Sequence, residues 1–309
     1  MIYTVLYNPS IDVIYNLEKL RPGVTEKGVE SHVYPAGKAL NAARALKSLG
    51  EDVKVLALMA YDDERRFASY LADLGIEYSF YTVSGGVRIN TTIHERSTGH
   101  VNHLNSLGLS LPQRMEFDFK EFLKDHMGGD DLWIFSGSLP GGISEAAYRD
   151  AVAECRERGI RTLLDTRDNP LALGIQALPF IVKPNISELE SYFKEPVEGI
   201  SHIAFKGKRL LDMGIEYVFI SLGEDGVIAL NKNKCLLCSV PEVEAVDTVG
   251  AGDSFSAGIA AGIERGFEFE EVCRLASACG VASVLNYGPG VISNDDVADY
   301  MGRISIESV

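Results

Sequence analysis

Residues 45–58 read ALKSLGEDVKVLAL, and this stretch contains the pattern that decides the fold class. An amphipathic helical segment ends at Gly50, where a left-handed cap is expected, and a short apolar run with β propensity begins directly after it. The same order recurs at YLADLG (70–75), ECRERG (154–159) and LLDMG (210–214), each followed by a β-type run. Strands that alternate with helices predict an α/β fold, with a mainly parallel central sheet covered by helices on both faces.

Two segments interrupt this alternation, at about residues 11–34 and 84–107. Neither has helical periodicity, and the second alternates in the β manner at VRINTTI (87–93). These insertions predict a small β-sheet lid that projects from a single domain spanning residues 1–309 and closes over a ligand. An ordinary hairpin at the edge of the main sheet is the alternative interpretation.

The composition bears on the partners and the compartment. The formal net charge is −15, and nucleic acid is not expected as a partner because its backbone is bound by clustered Lys and Arg. No stretch approaches the roughly 20 apolar residues of a membrane span, and the first residues lack the basic start and cleavage site of a signal peptide. The five cysteines form no disulfide framework. We therefore expect a cytoplasmic protein with no membrane partner.

Polar residues follow most of the predicted strands. In an open parallel sheet, ligands bind outside the carboxyl ends of the strands. The residues found directly after predicted strands are Asn8, Ser136, Asp165, Lys183 and Ser221. This edge of the sheet is therefore the expected position of the functional site.

The strongest chemical signal is DTVGAGDSFSAG at residues 247–258, which a helical run follows. Its small residues let a ligand approach the backbone, and the first N–H groups of a helix, unpaired within it, attract anions. A phosphoryl group fits that position, and the carboxylate of Asp253 in the first turn is suited to take a proton from an attacking hydroxyl. Taken alone, GAGD is better explained by a capping Asp before a closely packed helix of small residues.

This motif resembles the signature of the ribokinase-like family, specifically its phosphofructokinase-B branch. Further motifs occur in family order along essentially the whole chain: NPSID (8–12), AGKALNAARAL (36–46), RIN (88–90), SGSLPGG (136–142), KPNISEL (183–189) and SLGEDG (221–226). The resemblance implies a ribokinase-like three-layer α/β/α domain with a small β-sheet lid. It also implies an ATP-dependent carbohydrate kinase, nearest to the 1-phosphofructokinase and tagatose-6-phosphate kinase branch.

The resemblance implies roles on the acceptor side. Asp253 is the implied catalytic base, and the backbone of Ala251, Gly252 and Asp253 is the implied anion hole, with Gly250 also among the implied catalytic residues. The sugar-binding residues are Asp12, Gly37, Lys38, Asn41 and Asn90. A phosphate on the sugar would meet Lys27 and Arg88, with a hydroxyl from Ser138. Without the family pattern, Lys27 and Arg88 are better explained as solvated lid charges.

The resemblance also implies roles on the nucleotide side. The ATP-binding residues are Lys183, Asn185, Ser221, Gly223 and Gly226, with Asn286 near the adenine. Glu188, three residues after Asn185, is implied to position Mg²⁺ and its waters, and a helix cap at Asn185 is compatible with that role. A monovalent cation beside Asp247 is a further implied ligand.

The expected reaction is phosphoryl transfer from MgATP to a primary hydroxyl of a ketohexose phosphate, of the fructose 1-phosphate or tagatose 6-phosphate type. Ala36 and Ala39 stand where close hexose-phosphate kinases have glycine, so the sugar pocket differs from theirs. A kinase of an unphosphorylated sugar, polyol or nucleoside is one alternative, and a non-catalytic sugar-binding or regulatory protein is another. The exposed edges of a lid sheet further predict a homodimer clasped through the lids.

Overall fold

The computed structural model describes residues 1–309 and contains fourteen strands and ten α-helices. The strands are β1 (Ile2–Leu6), β2 (Ser10–Leu17), β3 (Glu30–Ala36), β4 (Val53–Ala60), β5 (Glu77–Val83), β6 (Arg88–Glu95), β7 (His100–Asn105), β8 (Leu132–Ser136), β9 (Arg161–Asp165), β10 (Ile181–Val182), β11 (Tyr217–Ser221), β12 (Val227–Asn231), β13 (Cys235–Ser239) and β14 (Ser305–Ser308). The helices are α1 (Lys38–Ser48), α2 (Glu64–Asp73), α3 (Gln113–Lys124), α4 (Ala147–Glu157), α5 (Asp168–Gln176), α6 (Ile186–Phe193), α7 (Gly199–Asp212), α8 (Ala251–Glu264), α9 (Phe269–Val284) and α10 (Asn294–Met301).

Ten strands form the central sheet, in the order β14-β13-β12-β11-β10-β9-β8-β1-β4-β5. The pairs between β11 and β5 are all parallel, and the three pairs from β11 to β14 are antiparallel. One apolar core contains residues of α1, α2, α8, α9 and α10, and a second core contains residues of α3 to α7. Helices therefore cover both faces of a mainly parallel sheet, which confirms the predicted three-layer α/β/α fold.

The four predicted helix-to-strand junctions are present. Gly50, Gly75, Gly159 and Gly214 follow α1, α2, α4 and α7, and each has a positive φ between 65° and 112°. Glycine adopts this left-handed conformation without the steric penalty of a side chain, so it ends the helix and turns the chain into the next strand.

The remaining four strands form a separate small sheet in the order β3-β2-β6-β7. Its strands lie almost entirely within the two predicted insertions, so the insertions are not a hairpin at the edge of the main sheet. Side chains alternate between the faces of β2, so Asp12 and Val13 point in opposite directions. That this sheet closes over a ligand stays a prediction.

Helix α8 packs unusually closely on α9. A Cβ atom on Gly258 would lie 2.6 Å from the Cα atom of Ala276 and would collide with it. The absence of a side chain at Gly258 lets the two backbones touch at this crossing, and the N-terminus of α8 lies at the carboxyl edge of the central sheet. No helix of the chain has the length and apolar composition needed to cross a membrane.

Candidate active site

The N-terminus of α8 is shaped by Gly250, which has a φ of 86°. A Cβ atom there would lie 2.8 Å from the Cα atom of Pro289, so only glycine fits this turn. The N–H of Asp253 already donates to the Gly250 carbonyl at 3.0 Å, whereas the N–H of Gly252 makes no hydrogen bond within the chain. The N–H groups of Ala251, whose bond to Thr248 is long at 3.5 Å, and of Gly252 are therefore the donors left for an anion.

Asp253 is nearly buried beside these donors, with 6% of its surface exposed. Its Oδ2 atom accepts a hydrogen bond of 2.8 Å from Asn41 Nδ2, and its Oδ1 atom lies 3.7 Å from the Lys38 ammonium. Burial raises the pKa of Asp253 to about 6, although Lys38 and the Asn41 hydrogen bond both favour the ionised form. At neutral pH the carboxylate is ionised and retains enough basicity to accept a proton.

A cavity of about 340 Å³ opens between α8 and the lid, within the range of small-molecule sites. Most of the predicted sugar-binding and catalytic residues line it. The lining residues are Ser10, Asp12, Gly37, Lys38, Asn41, Arg88, Asn90, Val249, Gly250, Gly252 and Asp253. They come from β2, α1, β6 and α8, so the fold brings together segments that are far apart in the sequence.

The lid side of this cavity carries a polar network. Asp12 Oδ1 accepts hydrogen bonds from Ser10 Oγ at 2.9 Å and from Asn90 Nδ2 at 2.8 Å. The guanidinium of Arg88 donates to the carbonyl of Asn8 at 3.3 Å, but its Nε atom is buried without a partner. Burial lowers the pKa of Arg88, but an arginine side chain stays protonated at neutral pH. Arg88 therefore keeps unused donor capacity beside the cavity.

Asp165 is a buried carboxylate at the carboxyl edge of the sheet, for which no catalytic or binding role was predicted. It is the last residue of β9, accepts from Lys38 Nζ at 2.8 Å through Oδ1, and pairs with Lys183 Nζ at 3.2 Å through Oδ2. Ser256 Oγ also donates to Oδ2 at 3.0 Å. Burial opposes ionisation, but the two lysines and these hydrogen bonds hold the pKa of Asp165 below its usual range. Its position at the end of a predicted strand was the available signal.

The predicted nucleotide residues lie at the ends of β10 and β11. Asn185 and Glu188 form a reciprocal capping box at the start of α6, with hydrogen bonds of 2.8 and 2.9 Å. Burial raises the pKa of Glu188, and the nearby Asp165 charge adds to that effect. The turn after β11 pairs with this segment through a bridge between Asn185 and Ser221. Gly223 and Gly226 both have positive φ in that turn.

Two predicted sugar-binding residues, Lys27 and Ser138, lie outside the cavity, as do Ala251 and the predicted nucleotide and metal residues, among them Asn286. Lys27 is exposed on the loop between β2 and β3. Ser138 accepts a hydrogen bond of 3.1 Å from Asn8 Nδ2, so it touches the Asn8 side chain next to Arg88. Asn286 follows α9 and donates to the Ala282 carbonyl at 2.8 Å. The proposed ligand contacts of Lys27, Ser138 and Asn286 stay predictions.

A known protein family and several known enzymes match this chain over nearly its whole length. Residues 5–296 match the profile described as pfkB family carbohydrate kinase. The 1-phosphofructokinase of Escherichia coli strain K12 is 30% identical over 307 residues, with 98% of this chain and 97% of that protein covered. The 1-phosphofructokinase of Haemophilus influenzae is 31% identical over 294 residues, with 94% and 93% covered.

Solved structures agree with the fold. Phosphofructokinase-2 from Escherichia coli in complex with potassium has a TM-score of 0.89 and 24% sequence identity, and the match covers 98% of each chain. The chain described here belongs to the pfkB family of carbohydrate kinases. It is therefore an ATP-dependent phosphotransferase with an alcohol group as acceptor.

The raised pKa of Asp253 predicts a pH-dependent stability difference between the protein and its Asp253→Asn variant. A pKa raised from 3.8 to about 6 stabilises the folded state while the group is protonated, and this contribution is lost as the pH rises through that interval. Asparagine loses no proton, so the free energy of unfolding of Asp253→Asn at pH 7.5 should exceed that of the parent protein by on the order of 2–3 kcal/mol. The variant should therefore unfold at a higher temperature at pH 7.5, and this difference should shrink towards pH 4.5. Thermal unfolding at both pH values measures this, and an equal difference at both would contradict it.

Proposed function

We propose that this kinase transfers the γ-phosphoryl group of ATP to a primary hydroxyl of a ketohexose phosphate, of the fructose 1-phosphate or tagatose 6-phosphate type, with Asp253 as the general base. One observation carries this proposal. The Asp253 carboxylate and the free N–H of Gly252 line the same cavity as Arg88, which lies on the lid side. A proton acceptor, an anion site and a phosphate-binding cation are thus available to one small ligand. The names of the relatives, 1-phosphofructokinases, support the same substrate class.

The acceptor hydroxyl loses its proton to Asp253 as its oxygen forms a bond to the γ-phosphorus and the bond to the ADP oxygen breaks. Asn41 holds Oδ2 of the carboxylate, and Oδ1, which lies 3.7 Å from the Lys38 ammonium, is proposed as the atom that takes the proton. The N–H groups at the start of α8 then stabilise negative charge on the transferred phosphoryl group. These donors are backbone groups in a fixed turn, so little reorganisation is needed during the reaction.

The acceptor sugar is proposed to be bound between the lid and α1. Asp12 and Asn90 present oxygen and nitrogen atoms to vicinal hydroxyls, and the buried Asn90 Oδ1 has no partner in the chain. Arg88 offers its unused guanidinium donors to the sugar's phosphate. Lys27 is proposed as a second phosphate ligand if the loop between β2 and β3 folds over the cavity.

The ATP phosphates are proposed to lie along Lys183, Asn185 and the turn at Gly223–Gly226. The donor set also fits Mg²⁺, a hard cation that prefers oxygen ligands, because Glu188 Oε2 accepts from the Asn185 N–H while Oε1 makes no hydrogen bond within the chain. When bound, Mg²⁺ would neutralise charge on the phosphates, with Glu188 holding the ion or its waters.

Asp247 is proposed to bind a monovalent cation. A turnover rate that is higher in KCl than in tetramethylammonium chloride of the same concentration would support this proposal, and equal rates would contradict it.

The lid also supports a homodimer. On the face of the lid sheet opposite Asp12, Val33 pairs with Val13, Thr91 stands between Val13 and Leu104 in the same row, and Ile89 lies on the same face beside that row. Val33 is 52% exposed, Leu104 57% and Ile89 46%. We propose that a second copy covers this face through its own lid.

A Val33→Glu, Leu104→Glu variant should run as a monomer in size-exclusion chromatography with light scattering, whereas Leu107→Glu, outside the strands, should not change the mass. A monomeric parent protein would contradict the proposal.

Asp253→Asn tests the proposed base. Loss of the proton acceptor should lower kcat by roughly 10²- to 10⁴-fold, while KM for ATP and for fructose 1-phosphate changes little. In the parent protein, kcat/KM should fall as the pH drops below about 6, where Asp253 becomes protonated, and the residual activity of Asp253→Asn should lack this limb. Undiminished turnover by the variant would remove Asp253 from the mechanism.

Arg88→Met tests whether the substrate carries a phosphate. Loss of a charge-assisted contact should lower kcat/KM for fructose 1-phosphate or tagatose 6-phosphate by roughly 10- to 100-fold, mainly through KM. Arg96→Met is the matched control, because Arg96 also lies on the lid but pairs with Glu30 at the surface. Activity on free sugars alone, unaffected by Arg88→Met, would instead support the kinase of an unphosphorylated sugar. Lys27→Met, assayed in parallel, reports whether the loop brings Lys27 to the phosphate.

A further inference from the structure

Asp165 connects two lysines that belong to different parts of the site. Lys38 is the first residue of α1 and lines the sugar cavity, where its ammonium lies 3.7 Å from Asp253 Oδ1. Lys183 follows β10 and is 5% exposed, and its ammonium would lie 3.7 Å from a Cβ atom placed on Gly252. One ammonium is thus beside the base, and the other is beside the free N–H of the α8 N-terminus.

The two contacts use different oxygen atoms of Asp165. Oδ1 bonds to Lys38 at 2.8 Å, and Oδ2 pairs with Lys183 at 3.2 Å. A single carboxylate therefore sets the separation of the two ammonium groups as well as their individual positions. Asp165 itself is 2% exposed and does not line the cavity.

We propose that Asp165 is a positioning residue that holds Lys38 on the acceptor side and Lys183 on the donor side of the path taken by the transferred phosphoryl group. This inference rests on the proposed function. A lysine side chain has four flexible carbons, and an unrestrained ammonium loses entropy each time it is ordered around the migrating charge. A buried anion that fixes both groups beforehand removes this cost from the reaction step, so its contribution should appear in kcat.

Asp165→Asn is the direct test. Asparagine keeps the shape but not the charge, so both lysines should lose their fixed positions. We expect kcat to fall by roughly 10²-fold, with KM for ATP and for the sugar phosphate changed by less than about threefold. Asp131→Asn is the matched control, because Asp131 also forms an ion pair, with the N-terminal amine at 3.5 Å, but precedes β8 at the opposite edge of the sheet. Its kcat should equal that of the parent protein.

A double-mutant cycle separates positioning from a general effect on folding. If Asp165 acts in part through Lys38, adding Asp165→Asn to a Lys38→Met background should lower kcat by clearly less than the roughly 10²-fold expected in the parent background, because only the Lys183 contact is then left to lose. A folding defect would lower kcat by the same factor in both backgrounds, and this multiplicative outcome would overturn the inference. Full recovery of Asp165→Asn by raised Mg²⁺ concentration would also overturn it, because Asp165 would then serve the metal.

Lys38→Arg keeps the inference testable if Asp165→Asn does not fold. Arginine retains the charge but places it differently relative to Asp165, so kcat should fall about as far as in Lys38→Met. Near-normal kcat in Lys38→Arg would show that a charge without fixed placement suffices, and would overturn the inference. The proposed function fails separately, when Asp253→Asn retains full turnover or when the parent protein phosphorylates no sugar phosphate.

Discussion

The close crossing of α8 and α9 is the constraint on which the site depends. Because Gly258 has no side chain, the backbone of α8 reaches that of α9 at Ala276, and the N-terminus of α8 is fixed against the carboxyl edge of the sheet. Asp253 and the free N–H of Gly252 are carried on this rigid element. The remaining site residues follow strands or begin helices whose positions the same sheet determines.

Two buried carboxylates, Asp165 and Asp253, lie beside the same lysine, and their pKa values are shifted in opposite directions. Asp165 has an ammonium at each oxygen, which lowers its pKa, whereas burial dominates at Asp253 and raises its pKa to about 6. Lys38 contacts both, at 2.8 and 3.7 Å. This difference in environment is what distinguishes a permanent anion from a group that can exchange a proton near neutral pH.

The lid depends on the register of its strands. Asp12 and Asn90 are paired and face the cavity, while Val13 and Val33 are paired on the opposite face. A shift of one residue would turn the Asp12 carboxylate away from the cavity and Val13 towards it. The same alternation therefore gives the lid one polar face towards the cavity and one more apolar, exposed face on the other side.

The sequence by itself determined the α/β class, the helix-to-strand junctions at Gly50, Gly75, Gly159 and Gly214, and the segment that carries Asp253, because these follow from local periodicity and backbone preference. It did not indicate that Asp165 pairs with both lysines, that Lys27 lies away from the cavity, or that Asp253 is a weakened acid. Only the tertiary structure decided these features, because each depends on side chains from distant segments meeting in a space with little water, as when Asn41 reaches Asp253 across 212 positions of the chain.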